Sequence, residues 1–174
     1  FWLDLKINDI PQTALSAIDS LKDLKSCKYI TVHVNGGFDM LKAAKKHAKK
    51  INKTIKVLGV TILTSLNNKS LKEIGHTKNV QQLVLKQAEL IKKSGCDGIV
   101  CSPQESKMIR KIFKNLFIVT PGIRLPGDNS NDQARVMTPR EAFKNKVSAV
   151  VIGRSLTKGN IKYNVKKLLN HLSQ

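Results

Sequence analysis

The stretch DLKINDIPQT puts two carboxylates and an amine within six positions, at Asp4, Lys6 and Asp9. Side chains on a strand alternate faces, so Asp4 and Lys6 share a face with Trp2 while Leu3 and Leu5 take the other. Taking charge out of water is costly unless the charge is paired. Charges at a strand end therefore imply mutual pairing, with Asp4 and Asp9 around the Lys6 ammonium. A fixed ammonium of that kind can stabilise negative charge developing on a substrate and then supply the proton. The plainer alternative is a structural ion pair at a sheet rim. Pro11, with Thr13 nearby, ends the strand and starts a helix.

Two further stretches could bind an anion. VIGRSLTKGN joins Gly153, where backbone can approach a ligand closely, to Arg154, whose planar fork suits phosphate. The long loop VTPGIRLPGDNSNDQARVMTP carries Arg124 and Gln133 and has the punctuation of a lid. Arginine is scarce here: five against 26 lysines. Three of the five, Arg124, Arg135 and Arg154, fall in predicted loops beside Gly or Pro, where a bidentate donor is the natural reason for them. For Arg154 a surface salt bridge is the competing reading. Thr64 and Ser65 stand at a predicted strand end, able to cap a helix or touch a ligand. His33 reads as a packed, hydrogen-bonded core histidine. No His/Asp/Glu cluster has metal spacing, so no metal is expected.

The elements that must hold these residues alternate strictly. Predicted strands are Phe1–Lys6, Tyr29–Val34, Ile55–Leu63, Gly98–Cys101, Leu116–Thr120 and Ala149–Gly153. Helices are predicted over Thr13–Lys25, Phe38–Lys50, Val80–Lys93 and Ile161–Leu172, with a short piece before Val80. Two more open at Ser102, with Glu105 completing a capping box, and at Thr138 with Pro139. Strands alternating with helices mean parallel pairing and right-handed crossovers. An open doubly wound sheet and a (β/α)₈ TIM barrel are the two candidates. Polar, Gly-containing segments after the strand ends, and the lack of a GxGxxG turn, favour the barrel. The sequence supplies six of the eight β/α units, and 174 residues fall below the roughly 200 to 250 of a whole barrel. The expectation is that residues 1–174 form a single barrel domain lacking its first two β/α units.

Composition excludes other classes. No apolar run spans a bilayer, so no membrane partner is expected. Cys27, Cys96 and Cys101 lack CxxC spacing and read as buried thiols of a cytoplasmic protein. The net charge of +19 invites a nucleic-acid reading. Lysines spread along every helix, without interleaved aromatics, argue instead for a solvated surface and no specific nucleic-acid partner.

In this order, DLKINDIPQT, VTILTS, CSPQES, VTPGIR, DQARVMTP and VIGRSLT resemble the orotidine 5′-phosphate decarboxylase family along the whole chain. The DxKxxD element alone is shared with sugar-phosphate decarboxylases and aldolases of the same superfamily; its combination with DIPxT, PGIR before DQxR, and the final GR is far more specific. Gln12, Leu125 and Ser155 depart from the usual pattern. The resemblance implies cofactor-free decarboxylation of orotidine 5′-monophosphate, with Lys6 as the catalytic lysine and Asp4 beside the substrate carboxylate. It implies that Asp9, Ile10 and Thr13 reach a partner subunit's site in a homodimer, and that Thr64 contacts the pyrimidine. Gln133, Gly153 and Arg154 would hold the phosphate, with Arg124 supporting the loop. The family's further aspartate and lysine, on its first and second strands, would precede Phe1. The alternatives are a sugar-phosphate enzyme of the superfamily and an inactive truncated barrel that only binds nucleotide phosphate.

Overall fold

The computed structural model describes residues 1–128 and 136–173. Six strands alternate with helices along the described chain: β1 (Trp2–Ile7), α1 (Pro11–Asp19), β2 (Tyr29–His33), α2 (Gly37–Ile51), β3 (Lys56–Val60), α3 (Asn68–Glu73), α4 (Val80–Ser94), β4 (Gly98–Val100), α5 (Pro103–Ile112), β5 (Phe117–Thr120), α6 (Pro139–Lys144), β6 (Ala149–Val150), α7 (Arg154–Thr157) and α8 (Ile161–Ser173). A 3-10 turn over Val34–Gly36 leads into α2. Two compact units result, one of residues 1–61 and 83–100, the other of 62–82 and 101–174.

The first unit is a parallel sheet of β1, β2, β3 and β4, paired in that order. Its core comes from β-branched strands meeting helix faces. In α2, Met40, Leu41, Ala44 and Ala48 form the buried stripe while lysines take the outer face. Ile91 of α4 lies so close to β3 that a Cβ on Gly59 would stand 2.5 Å from its Cγ1. Glycine is what lets that helix approach the strand. Lys45 of α2 donates to both carboxylate oxygens of Asp97, at 2.7 and 2.6 Å, and Asp97 also accepts the Val57 N–H at 2.7 Å. That clip ties a helix to the entry of two strands.

In the second unit β5 pairs in parallel with β6. Ile118, Val119, Ile109, Ile123 and Ala142 are buried. Thr138 and Glu141 form a reciprocal capping box at the start of α6, and the hydrogen bond from Thr138 holds the Glu141 carboxyl below its ordinary range. The expected box at Ser102 forms differently: Ser102 caps α5 by accepting the Gln104 N–H, and Glu105 is buried. The apolar side chains Ile161, Val165, Leu169 and Leu172 of α8 are exposed.

Boundaries moved where the backbone found other partners. The first helix begins at Pro11 and ends at Asp19, not Lys25, because tight bonds from Leu21, Lys22 and Leu24 N–H take over. β3 stops at Val60, so Thr64 lies in a turn beyond it. The helix α7 was unforeseen; it occupies RSLT, in what reads as a loop.

Candidate active site

In the first unit, the strand end carrying DLKIND departs from regular β structure. Pairing between β1 and β2 is regular at Trp2 and Leu3 and then slips before Ile7. Lys6 sits at φ 51°, in the left-handed region that a non-glycine residue occupies at a cost of about 1–2 kcal/mol. The bulge keeps the charged side chains together. Lys6 Nζ donates to Asp4 Oδ2 at 2.5 Å.

Thr31, fully buried on β2, joins the pair from the neighbouring strand. Its hydroxyl donates to Asp4 Oδ1 at 2.9 Å and accepts the Lys6 backbone N–H at 2.9 Å. One hydroxyl thus fixes both the carboxylate and the strained backbone under the amine. Sequence reasoning passed over Thr31. The signal was its place two residues before His33, on the same face of a strand otherwise rich in apolar residues.

His33 is packed as expected, but its Nδ1 is buried without a hydrogen-bond partner. Burial first, and then the charge of Lys6, push its pKa below 6.5. A neutral imidazole adds no positive charge near the amine.

Asp9 does not complete the expected clamp. Its Oδ1 accepts the Ile10 N–H at 2.7 Å, and among the described residues Lys6 pairs with the Asp4 carboxylate. The loop turns Asp9 outward at the head of α1, where Ile10 is 66% exposed and Thr13 is also on the surface.

The second unit holds a cationic cavity of about 330 Å³ lined by Arg124, Gly127, Asp128, Arg154, Ser155, Lys158 and Asn164. Two of the expected anion-binding arginines therefore meet in one cavity. Arg124 is buried, with Nη1 donating to Ile123 O at 2.9 Å. Its backbone N–H donates to Met137 O, which fastens the two ends of the long loop together. At Gly153 a Cβ would meet only open space, so packing does not require the glycine. Lys158 and Asn164 were not anticipated. Asn164 reaches back from α8 and donates to Leu156 O at 3.0 Å and Lys158 O at 2.8 Å, fixing the turn after α7. Only a helical asparagine four residues beyond the turn-forming run KGN could have hinted at this. Gln133 lies outside the described residues, and Thr64 is half-buried in its turn.

Residues 2–166 match the family model described as orotidine 5′-phosphate decarboxylase / HUMPS family. The chain is 42% identical over 157 residues to an orotidine 5′-phosphate decarboxylase of Buchnera aphidicola, covering 90% of this chain and 66% of that protein. The enzyme of the same name from Erythrobacter litoralis is 42% identical over 159 residues, 91% of this chain and 69% of its own. The chain thus spans about two thirds of the length of these curated relatives. A crystal structure of orotidine 5′-phosphate decarboxylase from Lactobacillus acidophilus superposes with a TM-score of 0.82 and 33% identity, over 99% of this chain and 75% of that one. An uncharacterized conserved protein from Geobacillus kaustophilus gives a TM-score of 0.79 at 29% identity, over 98% and 75%. The α/β fold with six strand–helix units is therefore that of barrel enzymes, present in part.

Proposed function

Because the chain belongs to the orotidine 5′-phosphate decarboxylase / HUMPS family, we propose that the protein converts orotidine 5′-monophosphate to uridine 5′-monophosphate and carbon dioxide in pyrimidine biosynthesis. The observation that carries this reading is the Lys6–Asp4 pair, held at a strand end by Thr31. The relatives named above carry the decarboxylase name, which favours the nucleotide over a sugar phosphate as substrate.

The chemistry asks for what this pair offers. Breaking the bond between C6 and the carboxylate leaves an electron pair on C6 with little resonance help. The Lys6 ammonium stabilises that charge and then gives C6 its proton. Asp4, beside the departing carboxylate, disfavours the bound ground state. Thr31 acts as a positioning residue, because it fixes Asp4 and the backbone of Lys6 without touching the reacting atoms.

The remaining roles follow the same reading. Arg154 and the open backbone at Gly153 bind the substrate phosphate with Gln133, and Arg124 supports the loop. Thr64 contacts the pyrimidine. Binding energy from the remote phosphate is then available to the chemical step. Asp9, Ile10 and Thr13 complete a second subunit's site in a homodimer; their exposure at the head of α1 supports this. Such an enzyme works in the cytoplasm. Among the described residues no helix is long and apolar enough to cross a membrane.

The test is formation of uridine monophosphate by the intact protein and its Lys6→Ala variant. Turnover should vanish while nucleotide binding persists; a variant with near-normal rates removes Lys6 from the mechanism.

A further inference from the structure

Apart from the cavity of Arg124 and Arg154, the second unit contains a groove of about 600 Å³ lined by Lys107, Arg110, Lys111, Lys114, Lys144, Asn145 and Lys146. Six of these seven residues are cations, and no carboxylate lines the groove. Lys107, Arg110 and Lys111 fall three and four residues apart on one face of α5, and Lys114 follows in the turn after the helix. The last turn of α6 brings Lys144, and the following turn brings Lys146, from a segment at least 30 residues later. All five lysines are exposed.

Arg110 is the frame of this groove. Its Nε donates to Lys146 O at 2.9 Å, its Nη1 to Lys114 O at 2.6 Å and Leu116 O at 2.9 Å, and its Nη2 to Ser148 Oγ at 3.2 Å. Most of its donor capacity is spent on holding the two lysine-bearing turns. The lysines keep theirs for a ligand. Lys146 also sits at φ 59°, a conformation that glycine would adopt without strain. A cation therefore occupies a backbone position that disfavours any side chain.

Like charges this close repel, and the carbonyl ends of α5 and α6 offset only part of that repulsion. A string of anions would relieve it. We propose that this groove is a sequence-independent binding site for the phosphodiester backbone of single-stranded nucleic acid. Lysine is a point charge suited to phosphate oxygens, and no aromatic side chain lines the groove to stack on bases. A concave site fits a strand better than the flat surface of a membrane. The sequence, with lysine in every predicted helical stretch, implies no specific nucleic-acid partner. Backbone binding needs no base specificity, and only the folded arrangement concentrates the charge.

The experiment must separate a built groove from a net charge of +19. Binding of a fluorescein-labelled oligouridylate to the intact protein is followed by anisotropy across a salt series. Lys107→Ala/Lys111→Ala/Lys144→Ala is compared with the charge-matched set Lys46→Ala/Lys49→Ala/Lys50→Ala on the outer face of α2. The groove variant should bind at least about tenfold more weakly at low salt, with a log–log salt slope shallower by about 2, while the α2 set changes little. Lys146→Gly removes one charge and relaxes the backbone. It should lower affinity and reduce the slope by about 0.7 without lowering the melting temperature, so weak binding cannot be put down to misfolding. Equal losses in the two triple variants would overturn the proposal, as would binding to anionic phospholipid vesicles with none to the oligonucleotide.

Discussion

The first unit contains two Lys–Asp pairs of nearly the same length and opposite character. Lys45 and Asp97 join residues 52 positions apart, and their side chains are only 21% and 26% exposed. The carboxylate accepts through both oxygens: two bonds from the ammonium and one from the Val57 N–H. Lys6 and Asp4 are two residues apart, 42% and 51% exposed, and meet through one oxygen. Their geometry is imposed from outside, by the Thr31 hydroxyl and a left-handed backbone at Lys6. The more enclosed, three-bonded pair is a clip between elements. The open, externally oriented pair keeps an ammonium face for something else. Salt-bridge distance does not distinguish the two uses; burial and unspent hydrogen-bonding capacity do.

Exchanging their effects on activity and stability is the sharpest way to break this comparison. Lys6→Ala should lower turnover by at least about a thousandfold, within reach of combined electrostatic and proton-donor roles, with an unchanged melting temperature. A stability loss with turnover retained would place Lys6 with the clips. Arg154→Ala should cost about 2–3 kcal/mol of affinity for the phosphorylated substrate, and far less for the nucleoside lacking phosphate. Asp97→Asn should do the reverse of Lys6→Ala: a loss of about 2 kcal/mol in urea unfolding, with activity per folded molecule retained.

Smaller effects sharpen the picture further. Thr31→Val leaves Asp4 and the Lys6 N–H without their common partner. It should reduce kcat by about tenfold with KM little changed, and Thr31→Ser should restore most of the loss. A fall in stability alone would make Thr31 merely a core residue. The weakest expected effect is on pH. The pKa of His33 is lowered in the folded protein, so the unfolded chain binds the extra proton first as pH drops below 6.5. The contribution is complete above 6.5 and is lost as pH falls towards the folded-state value. Thermal melts of His33→Phe should show a shallower decline of stability in that acidic range than the parent protein.

Legibility differed with the range of the interaction. The strand–helix alternation was readable because hydrophobic period and Gly/Pro punctuation are local, and all six strands overlap their predicted ranges. The Thr138–Pro139 helix start was readable for the same reason. Asp4 and Lys6 stood out because strand periodicity alone puts them on one face. The outward turn of Asp9 was not readable, because it depends on how the loop folds back on the Ile10 N–H. Thr31 and Asn164 were missed because their partners lie on other elements or in turns whose conformation no local pattern specifies.

The residue types, their spacing and the family likeness determined the elements, the fold class and which charged groups could act. Tertiary structure decided which of those groups meet. It chose one carboxylate for Lys6, gave the orientation of that pair to a threonine 25 residues away, and gathered lysines from two helices into one groove. The division has a physical basis. Backbone periodicity is written in near neighbours, whereas hydrogen bonds between strands and charge density on a surface depend on distances that exist only after the chain has packed.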